Sequence, residues 1–401
     1  MSSDLPFGFG VGDSGQPFDM QALGQAFQQF GQMLSNAPAD AGPVSWNIVE
    51  DVARKSLQTT GDPAVADAEL RSIVAAVQLA NHWLDEACSF PECSGAPQGW
   101  SRAQWLESTM PVWRRIVEPI AAQMQNAIPA NIPQEMSAML GPLLGMVQQL
   151  SSVAFSNQLG NSLAGLAQEV VSASDIGIPL TEDAVVALVP ANADRFGAGL
   201  EIAGDDVRLY LALRECAHQR LFAHVPWLRA RAIGALEAYV AGLHVDQNRL
   251  QDLLQDVDFA NPEAMQELMT SGLMTPEDTE EQRAALARLE TLLALVEGWV
   301  DDVVTEATRD RLPAAVALRE TMRRRRAAGG PAETAFGSLV GLELRPRALR
   351  EAATLFAAVR SQGGADGRDA LWGRPDLLPD ADDLTDPLGF IERSAMHDEE
   401  Q

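Results

Sequence analysis

The feature that most constrains this chain is a polar pentapeptide, Arg-Glu-Cys-Ala-His at 214–218, inside a stretch of helical periodicity from Val207 to His224. Residues four apart in a helix share a face, so Arg214 and His218 are expected to project in the same direction. The pentapeptide matches the metal-binding pattern HExxH except at its first position. In that pattern two histidines hold the metal ion, and the glutamate activates a bound water molecule. Here arginine replaces the first histidine, so one of the two imidazoles is missing.

Apolar residues recur at helical spacing over most of the chain after Trp46. This spacing predicts helices over 68–87, 101–128, 227–243, 282–308, 314–326, 332–339 and 346–360. Pro111 and Pro119 are expected to interrupt or kink the second of them. The segment Asp175 to Glu201 instead has the β-branched enrichment that is typical of short strands. The sequence therefore predicts a mainly α (α+β) protein with a small β-sheet beside the helix of the pentapeptide.

Composition divides the chain into four parts. Residues 1–43 are rich in Gly, Gln and Phe and are expected to form a disordered arm. Residues 44–362 carry the helical pattern and should form the main helical domain. Residues 363–390 include seven aspartates, and we expect them to form an extended acidic segment. Residues 391–401 are expected to be a disordered tail.

The formal net charge of −27 argues against binding to nucleic acid, which requires clustered Lys and Arg. The one basic run, Arg323 to Arg326, is interpreted as the solvated end of a helix, where cations complement the helix dipole. The sequence starts without a signal-peptide pattern, and its longest apolar region, 138–154, is too interrupted to span a membrane. We therefore expect a cytoplasmic protein with no membrane partner, and the oligomeric state stays open.

Three longer stretches carry a resemblance to a known family. They read LRECAHQRLFAHVPWLRARAIGALEAYVAGL at 213–243, LLALVEGWVDDVV at 292–304 and GRDALWGRPDLLPDADDLTDP at 367–387. With them the chain resembles the zincin-like metallopeptidase family of actinobacteria, some of whose members are associated with coenzyme F420 biosynthesis. The resemblance runs from about Val44 to Phe390. It implies a zincin-like fold, in which the edge strand of a sheet borders the cleft of the metal-binding helix.

The pattern assigns His218 as a metal ligand and Glu215 as the catalytic base. Glu297 and Asp301 lie four apart on one predicted helical face and resemble the ExxxD pair of gluzincins. That resemblance implies that Glu297 is the third ligand. It also implies that Asp301 orients a metal-bound histidine from outside the coordination sphere.

His224 is the alternative third ligand, because 214–224 has the length of the pattern HExxHxxGxxH. Leu221 stands where that pattern has glycine. A helix that continues through this position turns His224 about 240° away from the ligand face. We therefore prefer Glu297.

Arg214 decides whether zinc can bind. Arginine cannot be deprotonated in a protein, so it is not a ligand. A guanidinium about 5 Å from Zn²⁺ would repel it by roughly 6–7 kcal/mol at an effective dielectric of 20. Zinc is therefore expected to be bound weakly or not at all. The guanidinium is expected to pair with Glu215 or Glu297 instead.

Two functions follow from this degenerate motif. The first is a zincin-fold protein with attenuated or lost peptidase activity that acts as a binding or scaffold protein for a protein or peptide. The alternative is an active cytoplasmic zinc-dependent metalloprotease or hydrolase with an unusual ligand set.

Overall fold

The computed structural model describes residues 42–127, 134–241, 279–328 and 348–399. The chain from Pro43 onward forms one compact unit. The predicted arm before Val44 and the predicted helix over 332–339 lie almost wholly or wholly outside the described residues. Within them the protein is mainly helical with one small sheet, as the sequence predicted.

The helices predicted over 68–87, 101–128, 207–224, 227–243, 282–308 and 314–326 lie within a few residues of the observed bounds, whereas the helix predicted over 346–360 extends to Ala370 and the helix over 134–169 was not predicted. The described residues contain twelve α-helices. In chain order they are α1 (Trp46–Thr60), α2 (Asp67–Leu84), α3 (Arg102–Ala127), α4 (Gln134–Glu169), α5 (Pro190–Gly197), α6 (Gly204–His224), α7 (Pro226–Ala241), α8 (Glu280–Thr308), α9 (Ala315–Ala327), α10 (Leu349–Ala370), α11 (Ala381–Thr385) and α12 (Pro387–Glu399). Two 3₁₀ turns, Leu371–Gly373 and Pro375–Leu377, join α10 to α11.

The start of α3 illustrates how the sequence sets a helix boundary. Ser101 Oγ accepts a hydrogen bond from the amide of Gln104 at 3.2 Å, and the Gln104 side chain accepts one from the amide of Ser101 at 2.8 Å. This reciprocal pair is a capping box, and it satisfies two amides that the first turn leaves without helical partners. The helix then runs without a break through Pro111 and Pro119. The expected interruption is therefore absent.

The sheet consists of two strands of two residues each in the described part of the chain. Strand β1 (Gln98–Gly99) pairs in parallel with β2 (Ala187–Leu188), and Ser172 forms an antiparallel bridge to Leu188. One strand thus lies in the segment predicted to hold the sheet, and its partner comes from the loop after α2. The bridge holds the loop after α4 close to α6.

Helix α6 carries the pentapeptide through the centre of the molecule. Every residue from Leu209 to Phe222 is buried, including the charged ones. The helix packs against α2, α5, α7 and α8. A helix that is covered on all sides must satisfy each of its polar side chains with a protein partner. The contacts of these side chains therefore define the site.

Helices α8 and α10 cross closely at Gly298. A Cβ at this position would lie 2.5 Å from the Cβ of Ala352 and 2.8 Å from the backbone of the same residue. Only glycine allows this approach, because real Cβ contacts are longer than 3.0 Å. The crossing fixes the position of Glu297, which immediately precedes the glycine on α8.

The C-terminal part of the chain differs from the prediction. Residues 363–390 are not an extended segment, since α10 continues to Ala370 with one non-helical residue, Gly364 at φ 70°, and α11 and α12 follow. The tail after 390 is helical up to Glu399. The aspartates have local roles: Asp380 caps α11 by accepting hydrogen bonds from the amides of Asp382 and Asp383. Acidic residues at a helix start are stabilising, so the aspartate run favours short helices over an extended chain.

A buried polar network ties α10 to the rest of the core. Arg368, which is fully buried, donates to Asp302 at 3.0 Å and to Asp369 at 2.8 Å. Asp369 also accepts hydrogen bonds from the amide and hydroxyl of Ser89 and from the indole of Trp299. The network therefore links residues that are 280 positions apart in the sequence.

None of the helices in the described ranges combines the length and the apolar character that a membrane crossing requires.

Candidate functional site

Three of the residues singled out in the sequence meet in the protein interior. Arg214 and His218, one turn apart on α6, face Glu297 of α8. Arg214 Nη2 lies 2.5 Å from Glu297 Oε2, and His218 Nε2 lies 2.9 Å from Glu297 Oε1. All three side chains are almost completely buried. The helical spacing and the family-like Glu297 thus converge as expected, with the guanidinium on the carboxylate.

A fourth side chain, Arg326 from the end of α9, completes this cluster. Its Nη1 lies 2.7 Å from Glu297 Oε1, the oxygen that also contacts His218. The basic run 323–326 was expected to be a solvated helix end, but Arg326 is largely buried. We refer to Arg214, His218, Glu297 and Arg326 as the arginine-carboxylate cluster.

The cluster strongly favours the charged form of Glu297. Burial alone raises the pKa of a carboxyl group. The positive charges of Arg326, His218 and Arg214 outweigh that effect and hold the pKa of Glu297 far below its usual range. For Arg214, burial disfavours the cation but the Glu297 charge prevails, so the pKa of Arg214 is raised. Both groups are therefore charged at any physiological pH.

Both ring nitrogens of His218 contact oxygen atoms of the protein. Nδ1 lies 2.8 Å from the backbone carbonyl oxygen of Arg214, and Nε2 faces the Glu297 carboxylate. A metal ion at either nitrogen would have to displace one of these two contacts.

Asp301 is not a partner of the His218 ring, because both ring nitrogens contact other groups. Asp301 Oδ2 instead lies 2.6 Å from Nη2 of Arg323, the first arginine of the basic run. This ion pair holds α9 against α8, and the role of Asp301 beside a metal-bound histidine stays a prediction.

Glu215 lies on a different face of α6, in a separate network. Its carboxylate accepts hydrogen bonds from the amide and hydroxyl of Ser174 and from the side-chain amide of Gln219 at 2.8 Å. Burial raises the pKa of Glu215, and hydrogen bonds from Ser172 and Gln219 oppose the shift only in part. The residue assigned as the catalytic base is thus fully buried and hydrogen-bonded to the loop after α4 and to its own helix.

His224 ends α6 on an exposed side. Its ring stacks on Phe90 at a centroid distance of 6.1 Å, and Nδ1 lies 2.9 Å from the carbonyl oxygen of Arg220. These contacts are the result of the uninterrupted helix, which turns His224 away from the face of His218. The alternative ligand assignment gains no support from this placement.

Asp175 forms the second acidic position beside the cluster. Its Oδ2 accepts a hydrogen bond from the amide of Val171 and lies 2.9 Å from Arg325 Nη1, and its carbonyl oxygen accepts one from Arg326 Nη2 at 2.9 Å. Burial opposes its ionisation, but Arg325 and Arg326 outweigh burial, so the pKa of Asp175 is lowered. No sequence pattern indicates this role, since Asp175 was interpreted only as the start of a strand region.

The residues of the cluster, in this arrangement, do not form a zinc site. A catalytic zinc site needs three protein ligands and an open position. Here His218 and Glu297 face each other instead of a shared cation position, and guanidinium groups cover both carboxylate oxygens. Across the residues that the structure describes, no group of three His, Cys, Asp or Glu side chains is placed to hold one metal ion.

Comparisons with known proteins identify the family. The family model described as zincin-like metallopeptidase matches residues 44–391. Among solved structures, a protein from Chloroflexus aurantiacus, proposed to be a hydrolase and described as having a novel fold, is similar over 88% of this chain and 99% of its own, with 21% identity and a TM-score of 0.62. A comparison with curated proteins finds no match. The region that the family model matches includes the sheet and all four residues of the arginine-carboxylate cluster. The chain therefore belongs to the zincin-like metallopeptidase family.

Proposed function

We propose that this protein is a zinc-independent member of its family, with a degenerate HExxH motif and attenuated or lost peptidase activity, that acts by binding a protein or peptide. The observation that carries the proposal is the Glu297 carboxylate, whose two oxygens are covered by Arg214 on one side and by Arg326 and His218 on the other. In this proposal guanidinium groups neutralise the Glu297 carboxylate, as a bound metal ion would in an active zincin.

The energetics support this assignment. Removing one partner from a buried ion pair costs about 3–5 kcal/mol, because the remaining charge is left uncompensated. Zinc bound to Glu297 would have to displace Arg214 or Arg326 from a carboxylate to which both are closely bonded. Metal binding at Glu297 would therefore cost the protein at least one of these ion pairs.

Metal analysis of the purified protein tests the proposal. The protein is incubated with excess zinc and dialysed, and its zinc content is measured beside those of His218→Ala and His224→Ala. We expect all three to retain the same small amount. Stoichiometric zinc in the wild type that is lost in His218→Ala and kept in His224→Ala would overturn the proposal, because it would place a tightly held metal at the cluster.

The second candidate function is a zinc-dependent hydrolase with an unusual ligand set. Family membership and the presence of both Glu215 and His218 of the motif favour it. It requires a peptide-hydrolysing activity that a chelator abolishes and that is lost in Glu215→Gln. Equal activity in the wild type and Glu215→Gln would exclude it.

A further inference from the structure

The two oxygen atoms that Arg326 contacts are spaced to accept from the two terminal nitrogens of one guanidinium group. Nη1 lies 2.7 Å from Glu297 Oε1, and Nη2 donates to the carbonyl oxygen of Asp175 at 2.9 Å. The Asp175 carboxylate is a further 4.0 Å from Nη2. The two terminal nitrogens of one planar group thus each have their own oxygen acceptor. A lysine ammonium is a point donor and does not span two acceptors in this way.

Both acceptors belong to the fixed frame of the protein and not to α9. Glu297 is on α8 beside the close crossing at Gly298, and Asp175 is on the loop that the bridge to β2 holds. Gly177, at φ 76°, lies against the same carboxylate, since a Cβ there would be 3.1 Å from Glu297 Oε1. The absence of a side chain at Gly177 leaves the space around this oxygen to the incoming guanidinium.

Arg326 itself reaches these acceptors from the last turn of α9, where the arginines form ion pairs with Asp301, Asp175 and Glu297. The apolar anchors of α9 are Ala315, Leu318 and Met322, all upstream of the arginines. Nε of Arg326 is buried and has no hydrogen-bond partner within the described residues. Arg326 therefore fills both acceptors while one of its own buried donors stays without a hydrogen bond. Its placement is not optimal for a guanidinium group, which can donate from Nε as well.

We propose that Glu297 Oε1 and the Asp175 carbonyl oxygen form a guanidinium subsite, that Arg326 is its intramolecular occupant, and that the arginine side chain of a bound peptide takes its place. This rests on the proposed function, for which it names the class of ligand. Without Arg326 the two buried acceptors, Glu297 Oε1 and the Asp175 carbonyl oxygen, lose a shared donor, and another guanidinium is the group that donates to both at once. The net charge of −27 favours the approach of a basic peptide.

Chemical rescue tests the subsite. Arg326→Ala is compared with the wild type and with Arg324→Ala, a matched change on the same helix, since Arg324 is 78% exposed and pairs only with Glu320 within its own helix among the described contacts. The melting temperature of each protein is measured with low concentrations of ethylguanidinium or ethylammonium. We expect ethylguanidinium to raise the melting temperature of Arg326→Ala alone, and ethylammonium to have a smaller effect.

A peptide experiment on the same proteins identifies the ligand class. A fluorescent tripeptide with a central arginine is titrated beside the same peptide with citrulline, which has the same shape but no charge. We expect Arg326→Ala to bind the arginine peptide about tenfold more tightly than the wild type does. We also expect Arg326→Ala to bind the citrulline peptide more weakly than it binds the arginine peptide. Should Arg326→Ala fail to fold, Arg326→Lys is used, because an ammonium leaves one acceptor free.

Equal responses of Arg326→Ala and Arg324→Ala to both cations, or equal binding of the two peptides, would overturn the subsite. The zinc content of each sample is measured in parallel. Stoichiometric zinc in the wild type overturns the proposed function. A missing preference for guanidinium in zinc-free samples overturns only the subsite.

Discussion

Restoring a zinc site in this protein requires the removal of two guanidinium groups. Arg214→His supplies an imidazole one turn from His218, and together with Glu297 this gives the three ligands of a catalytic zinc site. The structure shows that this change alone is insufficient, because Arg326 Nη1 remains 2.7 Å from Glu297 Oε1. The informative variant therefore combines Arg214→His with Arg326→Ala.

The expected gain in zinc affinity follows from the distances between the two guanidinium groups and the Glu297 carboxylate. Arg214 Nη2 and Arg326 Nη1 lie 2.5 and 2.7 Å from the Glu297 oxygens. Adding a zinc–oxygen bond of about 2.1 Å places either nitrogen no more than about 4.8 Å from a zinc ion on the same oxygen. At an effective dielectric of 20 this is a repulsion of about 7 kcal/mol for each guanidinium. If only half of it is realised, each removal strengthens zinc binding roughly 300-fold.

Zinc affinity is measured by competition with a chromophoric chelator at neutral pH in four proteins. They are the wild type, Arg214→His, the double variant Arg214→His/Arg326→Ala, and the control Arg214→His/Arg324→Ala. We expect affinity to rise at each of the first two steps and the control to match Arg214→His. Indistinguishable affinities in all four, or a control equal to the double variant, would refute the assignment of Arg326 to the metal position.

Three further predictions concern stability. Burial raises the pKa of Glu215, so the contribution of this carboxyl is fully present below its unfolded pKa of about 4.3 and is lost as pH rises through the folded value. Glu215→Gln should therefore melt above the wild type at neutral pH, by a margin that vanishes in acid; a constant margin would contradict this. Gly298→Ala should cost about 1–3 kcal/mol in chemical unfolding because of the close helix crossing, whereas Gly234→Ala, with open space around it, should gain up to about 1 kcal/mol. Arg368→Leu should cost about 3–5 kcal/mol and Arg374→Leu, an exposed control, less than about 1 kcal/mol; equal losses would show that burial of the pair is irrelevant.

The sequence was sufficient where one short-range rule decides the structure. Helical spacing placed α6 and α8 within a few residues of their bounds, and the four-residue interval put Arg214 and His218 on one face. The same spacing turned His224 away from that face. These results depend only on backbone geometry within a single helix, which is why no knowledge of the remaining chain was needed.

The errors came from interactions between distant segments. The run 323–326 was interpreted as solvated because a helix end with cations is stable in water, and its partner carboxylates lie elsewhere in the chain. The glycines and aspartates after 362 read as a break, but Gly364 is accommodated as a single kink and Asp380 caps a helix. Glu215 shared a motif with His218 without sharing its face, since adjacent helical residues diverge.

The Arg368 network also sets the order in which this protein can be completed during synthesis. Ser89 and Asp369 are 280 residues apart, so a ribosome that adds roughly 5–20 residues per second needs about 14–56 s to supply the second partner after the first. Until then the indole of Trp299 and the amide of Ser89 lack their acceptor. The core around Trp299 therefore cannot close before translation has passed residue 369, and termination before residue 368 leaves Asp302 without its buried arginine.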